Sequence, residues 1–194
     1  MNLTIRFAGY GGYGVVTASR ILGLTFTQKG FHVLQTESHG AAARGGACTA
    51  DLTISTDPIY ELGFDKPSVL LVLSTPAFRK CCSISPDLSS DFLLIESEIL
   101  EEPTVQMGLA DLPHHNGTKI YQIGIRQIAE ELGHVRYMGI ASLGALAAVD
   151  DRVDKRLLEK TIKTDSKLRR FEKQNLTALR KGGKAISLLK PQTS

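Results

Sequence analysis

Gly9-Tyr10-Gly11-Gly12-Tyr13-Gly14-Val15-Val16-Thr17-Ala18 is the stretch that decides how this chain is read. Before it, Leu3-Thr4-Ile5-Arg6-Phe7-Ala8 alternates and is rich in β-branched and aromatic residues, the pattern of a strand. After it, Val15, Ala18, Leu22 and Phe26 recur at three- and four-residue spacing, which predicts a helix with one apolar face. A glycine-rich turn therefore joins a strand to a helix. Glycine lets the backbone turn sharply and come close to a ligand. The helix start adds unpaired amides and the positive end of the helix dipole, which together suit a phosphate or pyrophosphate. Gly9, Gly11 and Gly14 fit the dinucleotide-binding spacing, and Glu37 stands about twenty residues on, where a ribose-binding acid would be. The same spacing serves equally well as a tight turn that binds nothing.

Working outward, the first helix should close near Gly30, and Phe31 to Thr36 reads as a second strand. Strand, helix and strand imply a right-handed parallel crossover. The stretch from Gln35 to Cys48 crowds small and polar residues, with Arg44 as an anion partner and Gly45-Gly46 permitting close backbone approach. It should emerge at the same strand ends as the first glycine turn, where open α/β sheets bind their ligands. Ala47 to Ser55 alternates as a strand with one wetter face and should return antiparallel, giving a mixed sheet. Ser68–Leu73, Phe92–Glu96 and Lys119–Ile123 supply further strands, and Thr75-Pro76 starts a short helix. Glu98 to Gly117 reads as irregular, with Pro103, Pro113 and Asn116-Gly117 as turn signals, and His114-His115 as part of an exposed loop. Arg126 to Gly133 is a helix closed by glycine, and Tyr137 to Val149 is apolar and small all round, a buried helix. Asp154 caps the next one. The last helix carries Leu168, Phe171, Asn175, Ala178, Gly182 and Ile186 on one face, so Asn175 needs a partner from a loop, a ligand or another subunit. The expected fold is α/β: three αβα layers around a mostly parallel, mixed sheet with a Rossmann-like glycine turn.

At 194 residues the chain suits a single domain, 1–194, with its own core. A formal net charge of +3 is too small to argue for nucleic acid. The positive excess gathers near the C-terminus, from Lys167 to Lys184, as a solvated basic helix face. Cys48, Cys81 and Cys82 form no C-x-x-C motif and are too few for a four-cysteine zinc or iron–sulfur site. Their odd number, with no signal peptide, points to a reducing cytoplasm. No apolar run is long enough to span a membrane. No residue is assigned a catalytic role, and none a metal.

Three features together resemble the gamma subunit of the 2-oxoacid:ferredoxin oxidoreductases. Ala8 to Val15 is similar to that family's GxGGQG-like turn, with Tyr13 for the commoner glutamine. Gln35 to Gly46 looks like its QTESYGPEARGG-type loop, with His39 for tyrosine and Ala41-Ala42 for Pro-Glu. Asn175-x-x-Ala178-x-x-x-Gly182 is the third. The resemblance implies a non-catalytic subunit of a complex that converts a 2-oxoacid, 2-oxoglutarate ahead of pyruvate, and coenzyme A to acyl-CoA, carbon dioxide and reduced ferredoxin. It implies alpha, beta and ferredoxin-like delta partners that hold thiamine diphosphate, magnesium and iron–sulfur clusters, and ferredoxin as electron acceptor. Coenzyme A would meet this chain at Gly9, Gly11, Gly12, Tyr13, Gly14, Thr17, Glu37, Ser38, His39, Arg44, Gly45 and Gly46. The small-residue helix and Asn175 suggest surfaces for partner subunits or for self-association. Two other readings stand beside this one: a stand-alone NAD(P)-binding dehydrogenase built on Gly9, Gly11, Gly14 and Glu37, and a purely structural scaffold.

Overall fold

A computed structural model describes residues 1–39, 46–84, 90–110 and 117–189. The strands are β1 (Asn2–Tyr10), β2 (His32–His39), β3 (Ala47–Ser55), β4 (Val69–Val72), β5 (Phe92–Glu96), β6 (Lys119–Ile123) and β7 (Ile186–Leu188). The helices are α1 (Val15–Thr27), α2 (Thr75–Ile84), α3 (Pro103–Ala110), α4 (Arg126–Glu131), α5 (Tyr137–Val149), α6 (Lys155–Thr164) and α7 (Glu172–Gly182). All seven strands form one mixed sheet in the order β2-β3-β1-β4-β5-β6-β7. Strands β1, β4, β5 and β6 pair in parallel, whereas β3 is antiparallel to both of its neighbours and β7 is antiparallel to β6.

The central strands are buried on both faces, which is why they read as nearly continuous apolar runs. Val69 and Leu71 face one core and Leu70 and Val72 the other, the period-two alternation of a strand between two helix layers. The larger core takes Leu3, Ile5 and Phe7 of β1 against residues of α1 and α4 to α7. The smaller core takes Ala8, Leu93 and Ile95 against Ala77, Phe78 and Cys81 of α2 and Val105 of α3. Thus the three αβα layers are present. Strand β3 shows the expected wetter face, with Ala50, Leu52 and Ile54 buried and Asp51 and Thr53 half-exposed.

Three expectations need correction. The stretch after Glu98 is not wholly irregular. Pro103 opens helix α3, a position where its fixed φ and missing N–H fit a first turn. The last helix stops at Gly182, and Ile186 belongs to strand β7, paired with Ile123 at the sheet edge. Helical spacing carried the reading past Gly182-Gly183, where the chain turns. Asn175 is buried as expected, but its side-chain amide donates to Phe171 O at 2.9 Å, so its partner is its own helix. Asp154 caps α6 as its sequence context suggests, accepting from the amides of Arg156 and Leu157.

The small residues of α5 are explained by contact with α7. A Cβ on Gly144 would lie 1.9 Å from Leu179 O, and one on Gly182 would lie 2.0 Å from Ala141 O. The two helices meet backbone to backbone. The Asn175–Ala178–Gly182 pattern is therefore the α7 half of an internal helix contact. Neither α5 nor Asn175 argues for self-association of the chain.

Candidate functional site

The glycine turn leaves β1 at its carboxyl end, at the boundary between β1 and β4 where the order of connections reverses. Tyr13 N–H closes the turn on Tyr10 O at 3.0 Å, and the two tyrosine rings meet edge to face at 5.6 Å. Gly12 has φ +100° and Gly14 φ +79°, conformations that favour glycine. They differ in their surroundings. A Cβ on Gly12 would meet open space, but one on Gly14 would sit 2.3 Å from Arg136 O. The start of α5 is thus pressed onto the start of α1, and Gly139 N–H donates to Tyr13 O at 2.9 Å.

Glu37, Ser38 and His39 end β2 at the same sheet edge, with β3 between them and the turn. Gly11 N–H reaches Gly46 O at 3.3 Å, so the turn and the far end of the second loop are joined directly. Arg44 and Gly45 lie outside the described residues, as do His114 and His115. Of the four turn amides expected to face a ligand, those of Gly11 and Tyr13 are engaged within the protein. Among the described residues, the amides of Gly12 and Gly14 have no acceptor, and neither does the Thr17 hydroxyl, half-buried in the first turn of α1. Glu37 and Ser38 are exposed; Glu37 accepts from Gln35 Nε2 at 3.0 Å.

The position of Glu37 bears on the dehydrogenase reading. In a Rossmann unit the acid ends the strand beside β1. Here β3 intervenes, so Glu37 stands two strand spacings, about 10 Å, from β1 rather than one. A ribose held at the turn would be beyond its reach.

Three residues at this edge escaped the sequence reading. Lys80 on α2 donates to Ser38 Oγ at 3.0 Å and so braces the end of β2. Burial pushes the nearby Cys48 thiol above its ordinary value, with Lys80 opposing the rise and Glu37 adding to it. Arg126 donates to the Tyr13 hydroxyl at 2.5 Å, lies over its ring, and places Nε 2.6 Å from Glu98 in an ion pair. Glu96 ends β5 at 1% exposure and accepts from Ile125 N–H at 3.1 Å. Burial lifts its carboxyl to about 7 against the opposing backbone hydrogen bonds. A usable signal existed for Glu96 and Arg126, because residues just after each parallel strand gather at one edge. Cys81 and Cys82 take no part; burial pushes Cys81 to about 12 and raises Cys82. Two open grooves of about 300 Å³ lie elsewhere, one near Thr4 and Tyr60 at the opposite edge and one near Ile128 and Lys184.

The α/β fold with this mixed sheet is shared with known proteins. The profile of the pyruvate ferredoxin/flavodoxin oxidoreductase family matches residues 4–185, and the chain belongs to that family. Within it, this is a gamma-type subunit of a 2-oxoacid:ferredoxin oxidoreductase. It is 33% identical over 186 residues to the 2-oxoglutarate synthase subunit KorC of Methanocaldococcus jannaschii, covering 94% of this chain and 92% of the relative. The gamma subunit of a keto/oxoacid ferredoxin oxidoreductase from Geobacter sulfurreducens superposes with a TM-score of 0.71 at 25% identity, over 94% of this chain and 97% of that one. The 2-oxoglutarate:ferredoxin oxidoreductase of Magnetococcus marinus, bound to 2-oxoglutarate, coenzyme A and succinyl-CoA, shares the fold with a TM-score of 0.76 at 21% identity; the match covers 98% of this chain and 32% of that one. No helix among the described residues is long and apolar enough to cross a membrane.

Proposed function

We propose that this subunit serves an enzyme that takes 2-oxoglutarate and coenzyme A to acyl-CoA, carbon dioxide and reduced ferredoxin, and that its glycine turn and 37–46 loop form part of the coenzyme A path. The junction of the two loops carries the proposal: Gly11 N–H on Gly46 O holds them together at the carboxyl edge. The donor set suits phosphate. Gly12 and Gly14 offer amides at the start of a 13-residue helix, Thr17 a hydroxyl one turn in, and Arg44 a guanidinium. Full-length similarity to 2-oxoglutarate synthase subunits favours 2-oxoglutarate over pyruvate.

Alpha, beta and ferredoxin-like delta partners complete the assembly. Thiamine diphosphate with magnesium and iron–sulfur clusters, held by those partners, would supply the decarboxylation and electron-transfer chemistry. This chain's part is to bind and orient. Losing a charge-assisted phosphate contact costs roughly 1.5–3 kcal/mol. In the reconstituted complex, Arg44→Ala should therefore raise KM for coenzyme A by about one to two decades and leave KM for the 2-oxoacid nearly unchanged. Steady-state kinetics with each substrate varied in turn reads this. An unchanged coenzyme A constant, or equal changes in both, would leave the two loops as packing and favour the scaffold.

A further inference from the structure

We propose that the exposed cationic rim beside the glycine turn, centred on Arg136, Phe171 and Arg170, is a docking surface for an acidic patch on a companion subunit. The proposal rests on the chain being one subunit of an assembly, not on its binding coenzyme A. Arg136 comes from the start of α5 and Arg170 from the turn before α7, yet both guanidinium groups lie over one ring, 5.3 and 5.4 Å from the centroid of Phe171. Arg169 and Lys173, on the same turn and the next, are also exposed.

What sets this cluster apart is the shared ring; several other cations on the molecule have carboxylate partners. Arg20 is bidentate on Asp165, Arg152 on Asp150 and Arg180 on Glu159, while Lys181 pairs with Glu131. Among the described residues, Arg136, Arg169, Arg170 and Lys173 have no carboxylate within 4.0 Å, and neighbouring Glu172 makes no ion pair with them. Two guanidinium groups brought to one ring repel each other, and the ring's quadrupole offsets only part of that cost. An external anion is what the arrangement lacks. The cations spread over two elements of exposed surface, so a protein surface fits better than a small anion. Arg136 also joins this rim to the candidate site, since its carbonyl abuts Gly14. A partner seated here would cover the entrance to the turn.

Association of the full chain with its co-expressed companion subunits, followed by stopped-flow at about 20 mM and about 500 mM salt, tests this, because steering by exposed charge is screened by salt. The wild-type rate should fall at least about tenfold across that range, and Arg136→Ser/Arg170→Ser should lower the low-salt rate about tenfold and flatten the salt dependence. Arg180→Ser, which removes a paired cation, should leave both nearly unchanged. Arg170→Ser alone, at an exposed residue, should show part of the effect if the double variant fails to fold. A wild-type rate indifferent to salt, variants that keep the wild-type salt dependence, or an equal effect from Arg180→Ser would overturn the proposal.

Discussion

Glu96 is a buried acid held far from its ordinary state. Its carboxyl is lifted from 4.5 to about 7 by burial, so the folded protein holds a proton there that the unfolded chain releases. The protonated form is favoured by folding below pH 4.5, and that stability is lost as pH rises through about 7. Glu96→Gln keeps an acceptor for Ile125 N–H and removes the titration. The variant should match wild type at about pH 4 and exceed it at about pH 8 by on the order of 3 kcal/mol. Urea unfolding at both values measures this, and a gap that is the same at both would refute it. The two positive-φ glycines of the turn give a second contrast. Gly12→Ala meets only left-handed strain, about 1–2 kcal/mol. Gly14→Ala adds overlap with Arg136 O and should cost at least about 2 kcal/mol more. Equal losses in the same unfolding assay would mean that the α1–α5 contact yields freely.

Helix packing shows how much of the structure could be read in advance. Strand β1, the glycine turn and α1 followed from their periods, as did β3 and its antiparallel return, because alternation and three-four spacing are local signals. Strand β7 did not, since its three residues continue a helical spacing and only pairing with β6 makes them a strand. Helix α3 hid behind Pro103, which marks a first turn as readily as a loop. At the site, the convergence of the turn and the β2 end was legible from topology. Lys80 was not singled out, because its distance to Ser38 depends on tertiary placement, whereas Arg126 carried a strand-end signal but none for its contact with Tyr13. The same limit applied to α5. Its small residues announced close packing, but not that α7 of the same chain is the partner. Gly144→Ala forces a methyl to 1.9 Å from Leu179 O, and should cost at least about 3 kcal/mol or dislodge α7. A thermal midpoint within a degree or two of wild type would contradict the backbone-to-backbone contact.

For the molecule as a whole, the fold positions the glycine turn, the end of β2 and a cationic rim at one end of the sheet. That placement belongs to a gamma-type subunit of a 2-oxoacid:ferredoxin oxidoreductase. Small residues on α5 and the buried Asn175 are satisfied within the chain and point to no partner surface. The most direct test is viologen reduction with 2-oxoglutarate and coenzyme A, measured for this chain alone, for the companion subunits alone, and for the two combined. The account predicts no turnover by this chain, little by the companions, and activity that rises to a plateau as the chain is added in equal amount. Turnover by this chain alone, or companions that are fully active without it, would contradict the account.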